Sequence, residues 1–504
     1  MPADDTVDQR WARVDAWLCG LAIVVAGAFR VGALTANGLY RDDAWVALSA
    51  RASVGEAVRF GVTIPGYELF VGAWLRLSTA TWWAQLPALV ASIATVALVY
   101  VAARSFGCRR GAAVIAAGVL ALSPTAAVYA TRVKSYSFDA LAVVIVVLLA
   151  VRVVQRHDAR RWAALLAVAT VAPLVSASVL GVTTSAVVWC AWRDVRAGVR
   201  RSALFLVGYG ALMAVFALLV LRNVPPSLGS YWDDQYVNSG GRAASLLVDF
   251  SDGLLRWVGA IGAVIIVVAL VMAVLRRRDV GPLLALPVGV ALVLSIARRA
   301  PFGGGRTDIY LYPCVAIAIG VLVDWVVGLP WFVWLHRRAT ALAVGALVLA
   351  ALVAGLNGLD AIPYPGADTK RLQDAVAARR APGDGVIVSP FTRYAYAFYD
   401  QRSSRFVLSD HFLTGFTVAS TDPDVLLMPA ELTEDDYDPS VVLPFASTHS
   451  RIWYLVTDTP EFDTPADVQA HELDGEQRLV AAGYRVTDRI DVDGAHADLL
   501  QISG

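Results

Sequence analysis

Residues 257–275 (WVGAIGAVIIVVALVMAVL) run for nineteen positions without a charge, and comparable runs recur throughout the first 356 residues. A helix of about 20 apolar residues crosses the ~30 Å hydrocarbon layer of a bilayer, whereas one isolated run could equally be the core helix of a large soluble protein. Here the pattern predicts about eleven spans, near 16–35, 82–103, 111–130, 138–153, 162–178, 179–192, 203–221, 257–275, 281–297, 309–329 and 339–356, separated by basic loops. That number excludes a soluble fold. In all, 57% of the chain is hydrophobic, against roughly 45–50% in soluble domains. The expected fold class is an α-helical polytopic membrane protein with a C-terminal soluble α/β domain. Its parts are a transmembrane catalytic domain over 1–356, with an outer loop at 36–81, and a domain over 357–504.

Charge divides the chain in the same place. Residues 357–504 hold 24 acids and 11 bases, a balance of −13, and the rest carries the matching +13. The loops RSFGCRR (104–110), RVVQRHDARR (152–161), WRDVRAGVRR (192–201), LRRRD (275–279) and LHRR (335–338) are short and strongly basic. The positive-inside rule puts them in the cytosol. An odd number of crossings from a cytosolic N-terminus then puts 357–504 outside, in a multi-pass protein of a bacterial plasma membrane. Trp82, Trp83, Trp162, Trp192, Trp257 and Trp331 fall near span ends, where an interfacial aromatic belt is expected. The first apolar stretch lacks an A-x-A-like site and reads as a retained helix. The four cysteines show neither a disulfide framework nor metal-ligand spacing.

The last 148 residues alternate helix and strand signals. DTKRLQDAVAARR (368–380) carries a helical apolar stripe; GVIVS (385–389), RFVLS (405–409) and RIWYLVTD (451–458) read as strands; EQRLVAAGY (476–484) reads as a helix ending at Gly483.

Three outer segments carry chemistry. Asp42 and Asp43 follow the first span, and a carboxylate pair at a membrane face is costly unless used or solvated. An ordinary loop acid capping the next helix is the competing explanation. Trp45, Leu48 and Ala52 share a helical face, which suggests an element lying along the interface. SPTAAVYATRVKSYSFD (123–139) gathers Tyr129, Arg132, Lys134, Tyr136 and Asp139; Lys134 is one of only two lysines in the chain. A lipid phosphate would explain a lysine there, and so would snorkelling to headgroups. ARRAPFGGGRTDIYLYP (297–313) sets Arg298, Arg299 and Arg306 beside three glycines that let a backbone approach closely.

The order of these segments resembles the GT-C membrane glycosyltransferases, in the branch of protein O-mannosyltransferases and the lipid A aminoarabinose transferase. Asp42-Asp43 resembles that family's Asp-Glu pair, and IPGYELFVGAWLRLS (64–78) its Pro-Pro-x-Tyr helix. KSYSFD (134–139) resembles its Lys/Arg-x-Tyr segment, and Arg306 with Tyr310 its donor-phosphate loop. The chain departs from the pattern in its second acid, in Gly66 for a proline, in Thr63 for a histidine, and in Gln85 for an arginine.

What the resemblance implies is transfer of a sugar from a polyprenyl-phosphate donor to a hydroxyl of a glycan, lipid or protein acceptor, with inversion. Asp42 would act as base and Asp43 would assist. Lys134, Arg306, Arg132, Tyr136 and Tyr310 would bind the donor phosphate, and Tyr67 and Glu68 would line the acceptor side or its loop. Phosphate is already a good leaving group, so one base and a set of cations suffice. No cofactor is required, although paired acids are able to recruit a divalent cation. No nucleic-acid partner is implied. A transporter or lipid flippase is the alternative; it calls for ionisable residues in mid-span, and few stand there.

Overall fold

The computed structural model describes residues 5–34, 38–60, 64–221, 231–255, 258–330, 338–356, 367–400, 403–408, 414–428, 439–457 and 466–502. Thr63, Trp257, Trp331 and the expected domain boundary at 356/357 touch or lie outside the described residues. The chain forms two compact units. One, here the helical unit, comprises residues 1–33, 86–218 and 232–362; the other, the sheet unit, comprises 34–85, 219–231 and 363–504.

In the helical unit the apolar runs are helices. Among the described residues five are long and apolar enough to cross a membrane: Arg13–Val31, Thr81–Ser105 (entering from the sheet unit), Tyr136–Gln155, Gly259–Arg276 and Arg306–Val327. Shorter apolar helices lie at Ser202–Leu218, Pro282–Ile296 and Thr340–Ala350, and helices of 17 residues also form at Ala159–Val175 and Leu180–Arg196.

The expected span 111–130 is not one helix. Arg110–Ala121 stops and Pro124–Thr131 leaves at 61° to it. Pro124 disfavours a helical residue before it, and Ser123 sits at ψ 121° with its hydroxyl accepting from Ala126 N. The carbonyls exposed by the break are met from another helix. Arg30, fully buried, donates to Ala121 O at 2.8 Å and Leu120 O at 3.0 Å, with Nε on Ser92 Oγ at 2.8 Å.

Acids at the other end of the helical unit are tied to the basic loops. Asp15 pairs with Arg110 at 2.9 Å, and Asp324 accepts from Arg109 N at 2.8 Å. Asp194 accepts from Trp162 Nε1 at 2.8 Å. Trp162 is therefore a buried anchor and not a belt residue. Trp83 is likewise in use: its ring stacks on Trp74 at 4.3 Å, and the two indoles donate to each other's backbone carbonyls. Trp82 and Trp192 remain exposed.

The sheet unit is built on a five-stranded sheet of order β4-β1-β5-β7-β6. β1 (Gly385–Val388), β4 (Val425–Leu427) and β5 (Arg451–Thr457) are parallel; β7 (Ala495–Ile502) runs against β5, and β6 (Tyr484–Val492) against β7. β2 (Ser404–Leu408) and β3 (Phe416–Ser420) pair separately, in antiparallel fashion. The expected strands at 385, 405 and 451 and helices at 369 and 476 are present; β3, β4, β6 and β7 had no clear signal.

Residues 38–60 and 64–85 pack in this unit. Phe60 lies 4.3 Å from Phe416 and 5.3 Å from Phe406, and Gly415, at φ +72°, leaves room for Phe60 O where a Cβ would stand 1.9 Å away.

Candidate functional site

Asp42 and Asp43 open the helix Arg41–Ser49, where a helix N-terminus favours negative charge. Asp43 is fully buried, while Asp42 is half-buried and takes the Trp45 indole N–H at 3.4 Å. Asp43 through Ser49 are all buried, so this helix does not present one apolar stripe to an interface as the spacing suggested. Arginines hold both its ends: Arg41 lies over the Phe391 ring at 4.3 Å, and Arg51 lies over Phe398 at 4.0 Å while donating to Phe398 O. The acid pair is thus fixed to the C-terminal part of the chain by cation–π contacts.

Tyr67 and Glu68 are buried on the helix Pro65–Leu75. Glu68 shares a hydrogen bond with the Ser49 hydroxyl. Ser49 stands seven residues past Asp42, about 10 Å along the axis, so Glu68 braces the far end of the acid-bearing helix. Burial pushes its carboxyl up to about 7, and the Ser49 contact offsets part of that shift. The folded chain therefore keeps a proton that the unfolded chain has released. Stability falls as pH rises from about 4.5 through about 7 and is level above. Glu68→Gln is expected to flatten this slope and to gain about 1–3 kcal/mol at pH 8. Melting curves of the two proteins from pH 5 to 8 check it; parallel curves would refute it.

In the helical unit the two basic segments lie at the same end. Arg132, Lys134 and Tyr136 occupy the turn between Pro124–Thr131 and the helix Tyr136–Gln155. Arg132 is buried with its guanidinium 5.7 Å over Tyr129, which meets Tyr136 edge-on at 5.2 Å. Lys134 is half-buried. Arg306 and Tyr310 lie on the 3-10 turn Arg306–Leu311, which packs against both Tyr136–Gln155 and Pro124–Val128. Arg306 extends over the Trp232 ring at 5.2 Å, and Tyr310 is buried. Arg298 and Arg299 are exposed, and Arg298 pairs with Asp233.

The glycines of this loop serve packing. Gly303, at φ +82°, abuts Leu246, where a Cβ would come within 2.7 Å of that residue's Cβ. Asp308, fully buried, accepts from Gly303 N at 2.7 Å and from Gly304 N. It ties the loop to the turn that carries Arg306. In the sequence Asp308 carries little signal beyond being an acid three residues past a glycine run. Asp139, also buried, accepts from Ser135 Oγ at 3.3 Å and steadies the residue after Lys134. Gln85 is fully buried.

Comparison with solved structures finds the same fold. ArnT from Cupriavidus metallidurans in the apo state aligns over 98% of each chain with a TM-score of 0.56 and 15% identity. The same protein bound to undecaprenyl phosphate aligns as extensively, with a TM-score of 0.56 and 14% identity. The archaeal oligosaccharyltransferase AglB from Archaeoglobus fulgidus, in complex with an inhibitory peptide and a dolichol-phosphate, aligns over 96% of this chain and 74% of its own, with a TM-score of 0.52 and 11% identity. No family model and no curated protein matches the sequence. Both neighbours are GT-C fold membrane glycosyltransferases.

Proposed function

We propose, from the GT-C fold that this chain shares with those membrane glycosyltransferases, that it moves a sugar from a polyprenyl-phosphate donor to an acceptor hydroxyl at the outer face of a bacterial plasma membrane. The observation that carries the reading is the packing of the Arg306–Leu311 turn against the start of the helix Tyr136–Gln155. That turn carries Arg306, and Arg132 and Lys134 immediately precede the helix, so the three cations belong to neighbouring segments of the helical unit. A lipid-borne phosphate calls for such a cluster of cations at one level of the membrane.

The residues then divide the work. Lys134 and Arg306 neutralise the phosphate as the bond to the anomeric carbon breaks, with Arg132 supporting. Tyr136 and Tyr310 flank these cations in sequence and shape the phosphate end. Asp42, the half-exposed acid, takes the proton of the attacking hydroxyl, while buried Asp43 fixes its helix. Attack from the face opposite the departing phosphate inverts the anomeric centre. Tyr67 and Glu68 support the acid-bearing helix on the acceptor side. Residues 1–356 form the catalytic membrane domain, and residues 357–504 stand outside. The two carboxylates need no metal in this scheme, though a divalent cation is compatible with them.

Purified protein incubated with a panel of polyprenyl-phosphate sugars should release polyprenyl phosphate with at least one of them; no release from any member, with acceptor glycans, lipids and peptides supplied, counts against the proposal. With the active donor, Lys134→Ala should lower kcat/KM for the donor by about 10- to 100-fold, the worth of one charged hydrogen bond. An unchanged donor dependence would remove Lys134 from the phosphate site.

A further inference from the structure

A second cluster of ligand-forming side chains lies in the sheet unit. His496 and Asp498 are two apart on β7, so both project from one face of the strand. Glu476 comes from the helix Ala466–Ala481, on the same helical face as the buried Glu472 and Leu479. One ligand atom from each of Glu476, His496 and Asp498 falls within 4.8 Å of the other two. His496 Nε2 and Asp498 Oδ2 are 3.9 Å apart.

His496 is 5% and Asp498 3% exposed, and among the described residues Asp498 Oδ1 has no hydrogen-bond donor. A buried carboxylate oxygen without a donor is costly. Arg489 on β6 also approaches, with its Nε 3.7 Å from Asp498 Oδ1 and 2.9 Å from Asp491 Oδ1.

We propose that Glu476, His496 and Asp498 bind one divalent transition-metal ion, of the zinc or manganese class, that clips the helix Ala466–Ala481 to β7. One imidazole and two carboxylates are ligands suited to these ions. Ligands at ~2.0–2.2 Å from zinc stand about 3.3–3.6 Å apart in a tetrahedron, so closing the cluster needs only side-chain rotation. The ion would bridge a helix and a strand, and its role would be structural. The inference does not depend on the sugar-transfer proposal.

The full chain, purified in detergent and stripped with a chelator, would be titrated with ZnCl2 and MnCl2 and analysed for bound metal, and CoCl2 would give a visible spectrum of the ligand set. Expected results are one ion per chain, a rise in melting temperature on binding, and loss of both in His496→Ala and Asp498→Asn, while Asp42→Asn keeps them. Glu476→Gln, at a half-exposed position, should fold normally and bind at least about tenfold more weakly. Failure to bind a stoichiometric ion, or equal affinity in Glu476→Gln and wild type, would overturn the site whether or not the strand variants fold.

Discussion

Asp42→Asn is expected to reduce sugar transfer by at least about a thousandfold, within the range that a general base contributes. Asparagine has the same shape and leaves the Trp45 indole an oxygen to bond, so the helix Arg41–Ser49 should stand unchanged. Only the capacity to accept a proton is lost. Asp43→Asn should behave differently, because a fully buried acid acts through its helix: loss of activity there should come with a lowered melting temperature. The measurement is turnover of the active polyprenyl-phosphate donor beside thermal unfolding for both variants. An Asp42→Asn enzyme within tenfold of wild type would remove the base from the mechanism.

Arg30→Leu is expected to cost about 2–4 kcal/mol of stability, because it leaves buried backbone carbonyls without donors. The guanidinium spans Ser92 Oγ and the carbonyls of Ala26, Leu120 and Ala121, and no other side chain offers five donors in one plane. Those carbonyls exist because the helix Arg110–Ala121 stops before Pro124, and the residues that follow lead to Arg132 and Lys134. The variant should therefore also lose donor use, since the segment bearing these cations starts at the break. Arg30→Lys keeps the charge but not the fork, and should fall between the two. Thermal unfolding in detergent decides the matter, and a Leu variant that melts with wild type would show that the carbonyls find other donors.

Local signals were legible where one period or one residue governs. The charge-free runs became helices because a bilayer-length apolar segment satisfies its own backbone only in that form. The helix from Thr369 and its following strand appeared where the apolar stripe and the APGDG turn placed them. The chemically marked residues Asp42, Lys134 and Arg306 stood out because acids and lone cations are rare beside apolar runs. Hidden from that reading were the partners these residues acquire from distant segments. Arg41 and Arg51 acquire the rings of Phe391 and Phe398 from the far part of the chain. The loop glycines looked ready for a phosphate, yet Gly303 is committed to Leu246.

The sequence by itself determined the membrane character, the helical class and the presence of an α/β region near the C-terminus, because each depends on composition or spacing within one segment. The break at Ser123–Pro124, the burial of Asp43 against the exposure of Asp42, the anchoring of residues 38–60 to β2 and β3, and the meeting of Glu476 with β7 were decided only by tertiary structure. Those features arise from contacts across tens to hundreds of residues, where packing and hydrogen-bond satisfaction, and no local preference, choose the partner.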